Sequence, residues 1–251
     1  MPTMHWLIKK DSHFSELQTI SSSLFDTFFF CDEVGRGCLA GPVVACAVAI
    51  KKSGDCSRRD LKSVISSLDK LGVKDSKKLS SKKRKIILDT LKIDLKKSKE
   101  GNFIVFNCKN LSFYFSINEL SPAYIDRVNI LNASLDAMKG AVETLVSKIG
   151  QIKLAKIIVD GNKRFDLSDH TIVALIKGDL RSKLVGLASI IAKEYRDNLM
   201  VNYDKEYPEY DFKRNVGYPT KAHKKAIAIF GVLPIHRCSF KGVKEHVMSI
   251  G

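Results

Sequence analysis

The chain has 251 residues, 45% of them hydrophobic, and a formal net charge of +15, which suits one large domain, or one with appendages, that seeks a polyanion such as nucleic acid. No apolar stretch approaches the roughly 20 residues that span a bilayer, and no long apolar region follows the first positive charges, so neither a membrane protein nor a signal peptide is expected. Six cysteines without a C-x-x-C pair (Cys31, Cys38, Cys46, Cys56, Cys108, Cys238) exclude a zinc module and a secreted disulfide scaffold, and predict buried free thiols in a reducing, cytoplasmic protein.

Residues 1–27 are mixed and turn Ser-rich at 21–23. They read as an N-terminal extension with a short helix over 11–20. An apolar run over 28–32 predicts the first strand. A nearly continuous apolar run over 42–50 predicts a buried second strand after the Gly41-Pro42 turn. Residues 51–73 are polar and read as an insertion holding a short helix. Ser80 or Ser81 can cap a helix running to Leu95. Residues 102–108 and 112–117 predict two antiparallel strands turning near Asn110. Ser121-Pro122 opens a helical stretch, with apolar positions at helical spacing over 127–149. Short buried strands follow at 156–160 and 171–176, then a long helix over 182–203 whose first half is apolar or small all round. A last helix covers 219–230. The order predicts an α/β fold, a mixed five-stranded sheet flanked by helices. A catalytic domain over 28–212 and a C-terminal basic helical segment over 213–251 are expected.

The charge is concentrated. Residues 74–99 hold eleven Lys/Arg against three acids, and residues 213–244 hold eight against none. Two such segments favour a binding face over a solvated background.

Four acids sit at strand ends. Asp32 and Glu33 close the first strand, Asp160 closes Ile157-Ile158-Val159, and Asp179 follows Ile176-Lys177-Gly178. Adjacent carboxylates at the end of a buried strand are costly unless compensated. Carboxyl ends of neighbouring strands share one edge of an α/β sheet, so the four can converge. Neighbouring strand residues face opposite ways. Asp32 and Glu33 therefore share a site only if the strand bends or ends there, or if Glu33 acts through its carbonyl. Oxygen ligands without a Cys/His set point to two divalent cations, Mg²⁺ or Mn²⁺. Asp197, mid-helix, reads instead as a structural ion pair.

These residues resemble ribonuclease HII, the type 2 ribonuclease H family, over residues 28 to about 242. The motifs recur in order: Asp-Glu-Val-Gly-Arg-Gly (32–37), Gly-Pro-Val-Val-Ala (41–45), Asp-Ser-Lys-Lys-Leu-Ser (75–80), Ile-Asp-Arg-Val-Asn-Ile (125–130) and Val-Asp-Gly-Asn (159–162). Lys-Gly-Asp (177–179), Ala-Ser-Ile-Ile-Ala-Lys (188–193), Gly-Tyr-Pro-Thr-Lys-Ala-His (217–223) and His-Arg-Cys-Ser-Phe (236–240) complete the series. The resemblance implies an RNase H-like fold. It also implies endonucleolytic cleavage of RNA in RNA/DNA hybrids and 5′ of single ribonucleotides in duplex DNA. Asp32, Glu33, Asp160 and Asp179 match the metal-binding carboxylates. Gly35, Arg36 and Gly37 match the loop whose backbone senses the ribose 2′-hydroxyl, the one group that separates RNA from DNA at a nucleotide. Tyr218 falls at the RNA–DNA junction, against the following deoxyribose. Lys77, Lys78, Lys221 and Lys224 are candidate phosphate contacts. Leu180, and Leu184-Val185-Gly186-Leu187, depart from the family pattern. Arg36 and the short leader argue against the related ribonuclease HIII. A monomer is expected. A non-catalytic nucleic-acid-binding protein is the alternative from another class. It predicts salt-sensitive binding without a metal-dependent product. A nuclease of the same fold acting on DNA structures is a third reading.

Overall fold

Two long apolar runs pair at the centre of the molecule. The computed structural model describes residues 15–21, 24–53, 57–73, 76–104 and 110–247. Its elements in order are α1 (Glu16–Ser21), β1 (Thr27–Val34), β2 (Val43–Lys52), α2 (Arg58–Lys70), α3 (Ser81–Thr90), β3 (Asn102–Ile104), β4 (Leu111–Leu120), α4 (Pro122–Val128) and α5 (Ile130–Ile149). Then come β5 (Ala155–Asp160), β6 (Thr171–Leu175), α6 (Gly178–Arg181), α7 (Lys183–Glu206), α8 (Phe212–Asn215), α9 (Lys221–Phe230) and α10 (Lys244–Val247).

The strands form one mixed sheet in the order β3-β4-β2-β1-β5-β6. The sheet has six strands where a five-stranded one is expected; every strand lies at a predicted strand position, and the three-residue β3, within the strand predicted over 102–108, forms the β4 edge. The rest of the strand expected over 102–108 lies outside the described residues, as do Cys56, Cys108 and the start of the helix expected over 11–20. β1 runs antiparallel to β2 and parallel to β5, and β5 runs parallel to β6. The carboxyl ends of β1, β5 and β6 therefore share one edge.

Strand alternation divides the core. Phe28 and Phe30 of β1 face α7, α2 and α3 in a cluster with Ile158, Leu187 and Ile191. Phe29 and Cys31 face the other way, onto α5 and its small residues Ala133, Ala137 and Ala141. A third cluster joins Leu39 and Ala40, after β1, to Met200, Tyr210, Phe212, Ile227 and Val243. The C-terminal segment is thereby packed onto the loop that follows the first strand. Cys31, Cys38 and Cys46 are buried free thiols, and Cys238 is an exposed one.

Local chemistry sets the helix limits. Ser57 and Asp60 form a capping box on α2, Ser80 caps α3, and Thr220 caps α9, each meeting an orphan N–H of the first turn. The helix expected to run unbroken over 127–149 breaks at Asn129. That residue adopts φ +71 and its side chain accepts from the N–H groups of Leu131 and Asn132, a conformation asparagine tolerates well. α1 belongs to the body as well. Ile20 is fully buried, and Glu16 accepts hydrogen bonds from the Ser182 hydroxyl and, at 2.9 Å, from the Leu184 N–H. A side chain from the N-terminal extension thus helps cap α7. No helix among the described residues is long and apolar enough to cross a membrane.

Candidate active site

The parallel pairing of β1 with β5 carries Cys31 opposite Val159. The next residue on each strand is a carboxylate, Asp32 and Asp160. Both share the parity of Phe30 and Ile158, so both point to the α7 side of the sheet. Asp32 is 5% exposed. Burial first, then the charges of Glu33 and Asp160, push its carboxyl well above the ordinary range. Ser189 on α7 and the Glu33 N–H, the latter at 2.7 Å, act the other way by hydrogen bonding to it. An anion pressed against two others on a buried strand asks for a cation.

β1 does not end at Asp32. On its β2 side it continues through Glu33↔Ala45 and Val34↔Val44. Glu33 therefore has the opposite parity to Asp32, and its Oε1 lies 3.4 Å from Arg36 Nη1. Asp160 Oδ1 accepts from the Gly178 N–H at 2.6 Å. That bond draws the start of α6 against the end of β5 and puts half-buried Asp179 one residue beyond it. A β-carbon at Gly178 would sit 3.0 Å from Asp160 Oδ1 and 3.2 Å from Val185 Cγ1, so any side chain here would push the two carboxylates' supports apart by a few tenths of an ångström.

Among the described residues, no three His, Cys, Asp or Glu side chains form a group able to hold a metal by themselves. The donors offered are carboxylate oxygens in ones and twos. That fits Mg²⁺ or Mn²⁺, hard ions; Mg²⁺ in particular keeps water and takes substrate phosphate to complete its shell.

The Gly-Arg-Gly loop is held from beneath by two buried arginines. Arg196 of α7 is fully buried. It donates to the carbonyls of Pro42 (Nε, 3.0 Å), Ala40 (Nη2, 2.9 Å) and Val216 (Nη1, 2.8 Å). Arg237, also fully buried, donates to Arg36 O at 2.9 Å and to Gly41 O at 3.0 and 3.1 Å. Backbone bonds from Leu39 N to Gly217 O (2.7 Å) and from Gly41 N to Ile235 O (2.8 Å) add to the seam. Gly35 needs its φ of +94 here, and a β-carbon on it would strike Arg196 Nε at 2.4 Å. Arg36 and Gly37 face solvent.

Tyr218, half-buried, stands beside this loop. A β-carbon at Gly37 would lie 4.0 Å from its Cε1. Burial and the neighbouring Cys38 thiol raise its phenol above the ordinary value. Lys78, Lys221 and Lys224 are exposed. The Lys77 side chain lies outside the described residues. Two basic residues counted toward the binding face are internal instead. Arg237 braces the loop, and Arg84 is buried on α3 with Glu194 (3.0 Å) and Asp197 (2.7 Å). Lys193 also pairs with Asp197, at 2.5 Å, so Asp197 takes the ion-pair role expected of it.

Sequence reasoning missed Ser189, Arg196, Arg237, Glu16 and Ser76. Ser189 meets Ser76 at 2.8 Å as well as Asp32, and so ties the turn Ser76–Lys78 to the first carboxylate. Its visible signals were its place in the Ala-Ser-Ile-Ile-Ala-Lys motif and a serine inside the apolar half of α7, neither of which named its partner.

The sequence pattern of one family, Ribonuclease HII, matches residues 31–243. Ribonuclease HII of Desulfotalea psychrophila is 38% identical over 240 residues, 96% of this chain and 91% of that protein. Ribonuclease HII of Thermotoga maritima is 40% identical over 214 residues, 85% of this chain and 73% of that protein. Among solved structures, the ribonuclease H2 from Pyrococcus horikoshii OT3 shares the fold with a TM-score of 0.59 at 22% identity, covering 89% of this chain and 98% of that one. Bst-RNase HIII in complex with Mn²⁺ shares it with a TM-score of 0.54 at 18% identity, covering 91% of this chain and 72% of that one.

Proposed function

The chain belongs to the ribonuclease HII family, and we propose that it is an endoribonuclease acting on RNA paired to DNA, including single ribonucleotides within duplex DNA. The reading rests on one observation above others. Asp32 and Asp160 sit just past the last mutually paired residues of the parallel strands β1 and β5, on one face, and Asp32 is pushed up by burial and by its acidic neighbours. Cations arriving between the two would offset this crowding of negative charge.

Asp32 and Asp160 would hold the ions most directly, with Asp179 and Glu33 completing the set, Glu33 through its carbonyl because its side chain has the opposite parity. Bound divalent cations, Mn²⁺ or Mg²⁺, supply the activation of water and the charge stabilisation of the leaving oxygen. The products are 5′-phosphate and 3′-hydroxyl ends. Gly35, Arg36 and Gly37 bring backbone groups against the 2′-hydroxyl, and the fastening of this loop by Arg196 and Arg237 supports that task. The Tyr218 ring packs on the next sugar and favours one without a hydroxyl. Lys77, Lys78, Lys221 and Lys224 contact phosphates. The protein works as a monomer in the cytoplasm.

The test is a substrate panel: duplex DNA with one embedded ribonucleotide, a full RNA/DNA hybrid, and plain DNA, each with and without Mg²⁺ or Mn²⁺. Metal-dependent cutting of the first two only is expected. Equal cutting of plain DNA overturns the reading.

A further inference from the structure

Behind Tyr218 lies a closed chain of hydrogen bonds that runs in one direction. The Leu233 N–H points at His236 Nδ1 at 2.9 Å. His236 Nε2 lies 3.1 Å from His223 Nε2. His223 Nδ1 lies 2.9 Å from the carbonyl of Tyr218. The two ends fix every proton between them. A backbone N–H can only donate, so His236 Nδ1 accepts and its proton sits on Nε2. That proton is given to His223 Nε2, leaving the His223 proton on Nδ1, where the Tyr218 carbonyl accepts it. A neutral imidazole is one donor and one acceptor, and this is the arrangement that satisfies both rings.

The pair is kept dry. His223 is 0% and His236 1% exposed. Tyr210 and Phe212 stack on each other and pack against the rings, with Tyr210 5.3 Å from His236 and Phe212 edge-on to His223 at 5.3 Å. Burial lowers both imidazoles below the ordinary value, which keeps them neutral. No third ligand completes a metal set among the described residues. The Tyr218 peptide is held further by Thr220 N–H to its carbonyl (2.8 Å) and by its own N–H to Asn215 O (2.9 Å).

We propose that His223 and His236 are positioning residues that fix the Tyr218 peptide and thereby the stance of its ring, setting how strongly a deoxyribose is preferred after the scissile ribonucleotide. The proposal rests on the role given to Tyr218 above. Neither ring touches the substrate. Their effect passes through a carbonyl on the same residue as the discriminating side chain.

Two measurements test it. In protein labelled with ¹⁵N-histidine, long-range proton–nitrogen spectra at neutral pH are expected to show the Nε2–H form for His236 and the Nδ1–H form for His223. The reverse assignment overturns the proposal without any activity measurement. The second reads single-turnover cleavage of the single-ribonucleotide duplex relative to an all-RNA strand on DNA. His236→Leu is expected to lower that ratio about tenfold, the scale of a small loss of positioning. His236→Gln, whose amide can still donate to His223, is expected to stay within about twofold of the parent. A ratio unmoved by His236→Leu, with Tyr218→Ala abolishing the preference, sinks the relay and leaves the Tyr218 reading intact. A preference that also survives Tyr218→Ala sinks the reading beneath it. Should His236→Leu fail to fold, His223→Asn serves, because its amide keeps the donor to the Tyr218 carbonyl. It is expected to retain the ratio, and a loss there counts against the proposal.

Discussion

Asp160 Oδ1 and the Gly178 N–H share a bond of 2.6 Å, and it couples the end of one strand to the turn that presents Asp179. The bond sets the spacing of two carboxylates 19 residues apart in sequence. Gly178→Ala forces a methyl to 3.0 Å from that oxygen. Because φ at this position is not in the left-handed region, the fold should tolerate the change with about 1 kcal/mol of loss. Cleavage should fall about 10- to 100-fold, as expected when reacting groups move by a fraction of an ångström. Single-turnover rates beside a melting curve separate the two effects; equal rates would mean that the spacing does not matter.

Asp32 trades stability for chemistry. Its folded pKa is raised by burial and by Glu33 and Asp160, so its contribution is greatest below the unfolded value, near 3.9. That contribution is lost as pH rises through the folded value. At neutral pH without divalent ions the carboxylate is a net cost. Asp32→Asn should therefore abolish metal-dependent cleavage and raise stability in chelator by about 1–3 kcal/mol. Added Mn²⁺ should raise the melting temperature of the parent much more than that of the variant. A variant less stable than the parent in chelator contradicts the assignment.

The imidazole of His236 is lowered to about 4 by burial and by His223. A depressed histidine works in the opposite sense to Asp32. Its stability contribution is complete above the unfolded value near 6.5 and drains away as pH falls toward about 4. Urea midpoints followed from pH 7 to pH 4 should decline less in His236→Gln than in the parent. Parallel profiles would show that the pair does not resist protonation.

Gly35→Ala meets two obstacles. The backbone at φ +94 costs about 1–3 kcal/mol for a residue with a side chain, and the new methyl lies 2.4 Å from Arg196 Nε. Stability should drop by at least that amount. Hybrid affinity should weaken along with it, because the displaced guanidinium also holds Ala40, Pro42 and Val216. Arg196→Lys, which puts one donor nitrogen in place of the three that reach separate carbonyls, should lose affinity with an unaltered Gly35 backbone. Filter binding of a hybrid in Ca²⁺ reads both.

Glu16→Ala removes an acceptor from the start of α7 and leaves the Leu184 N–H without the side-chain partner seen here. A loss of about 1 kcal/mol is expected, the usual worth of a helix cap. Glu16→Gln should be neutral or stabilising at pH 7, since burial raises the Glu16 carboxyl and disfavours its charged form. A destabilised Gln variant would mean that the negative charge itself is needed.

The edge that carries the candidate carboxylates was legible because the acids follow apolar runs. Such runs announce strands whatever the rest of the chain does, and parallel strands bring their ends together. The motif order around Asp32, Asp160 and Tyr218 then made the family visible. The break at Asn129 was not legible, because the apolar spacing passes through it without interruption and only the backbone records the change. β1 outran its predicted end because Glu33 and Val34 keep pairing with β2 after β5 has departed. Arg84 and Arg237 misled, and Arg196 was passed over, for a common reason. Guanidinium in a sequence reads as surface charge, whereas here the acceptors are carboxylates and carbonyls from segments far away in the chain. Glu16 was hidden likewise, since its partner is the first turn of a helix 168 residues on.

The fastening of the Gly-Arg-Gly loop has a further consequence for synthesis. The loop is made well before Arg237, which holds the Arg36 carbonyl, and Arg196, which holds those of Ala40 and Pro42 just beyond it. A nascent or prematurely terminated polypeptide that already carries Asp32 and Asp160 still lacks the clasp on its reading loop. The order of the loop is thus set only when Arg196 and Arg237 have both been made and folded back onto it.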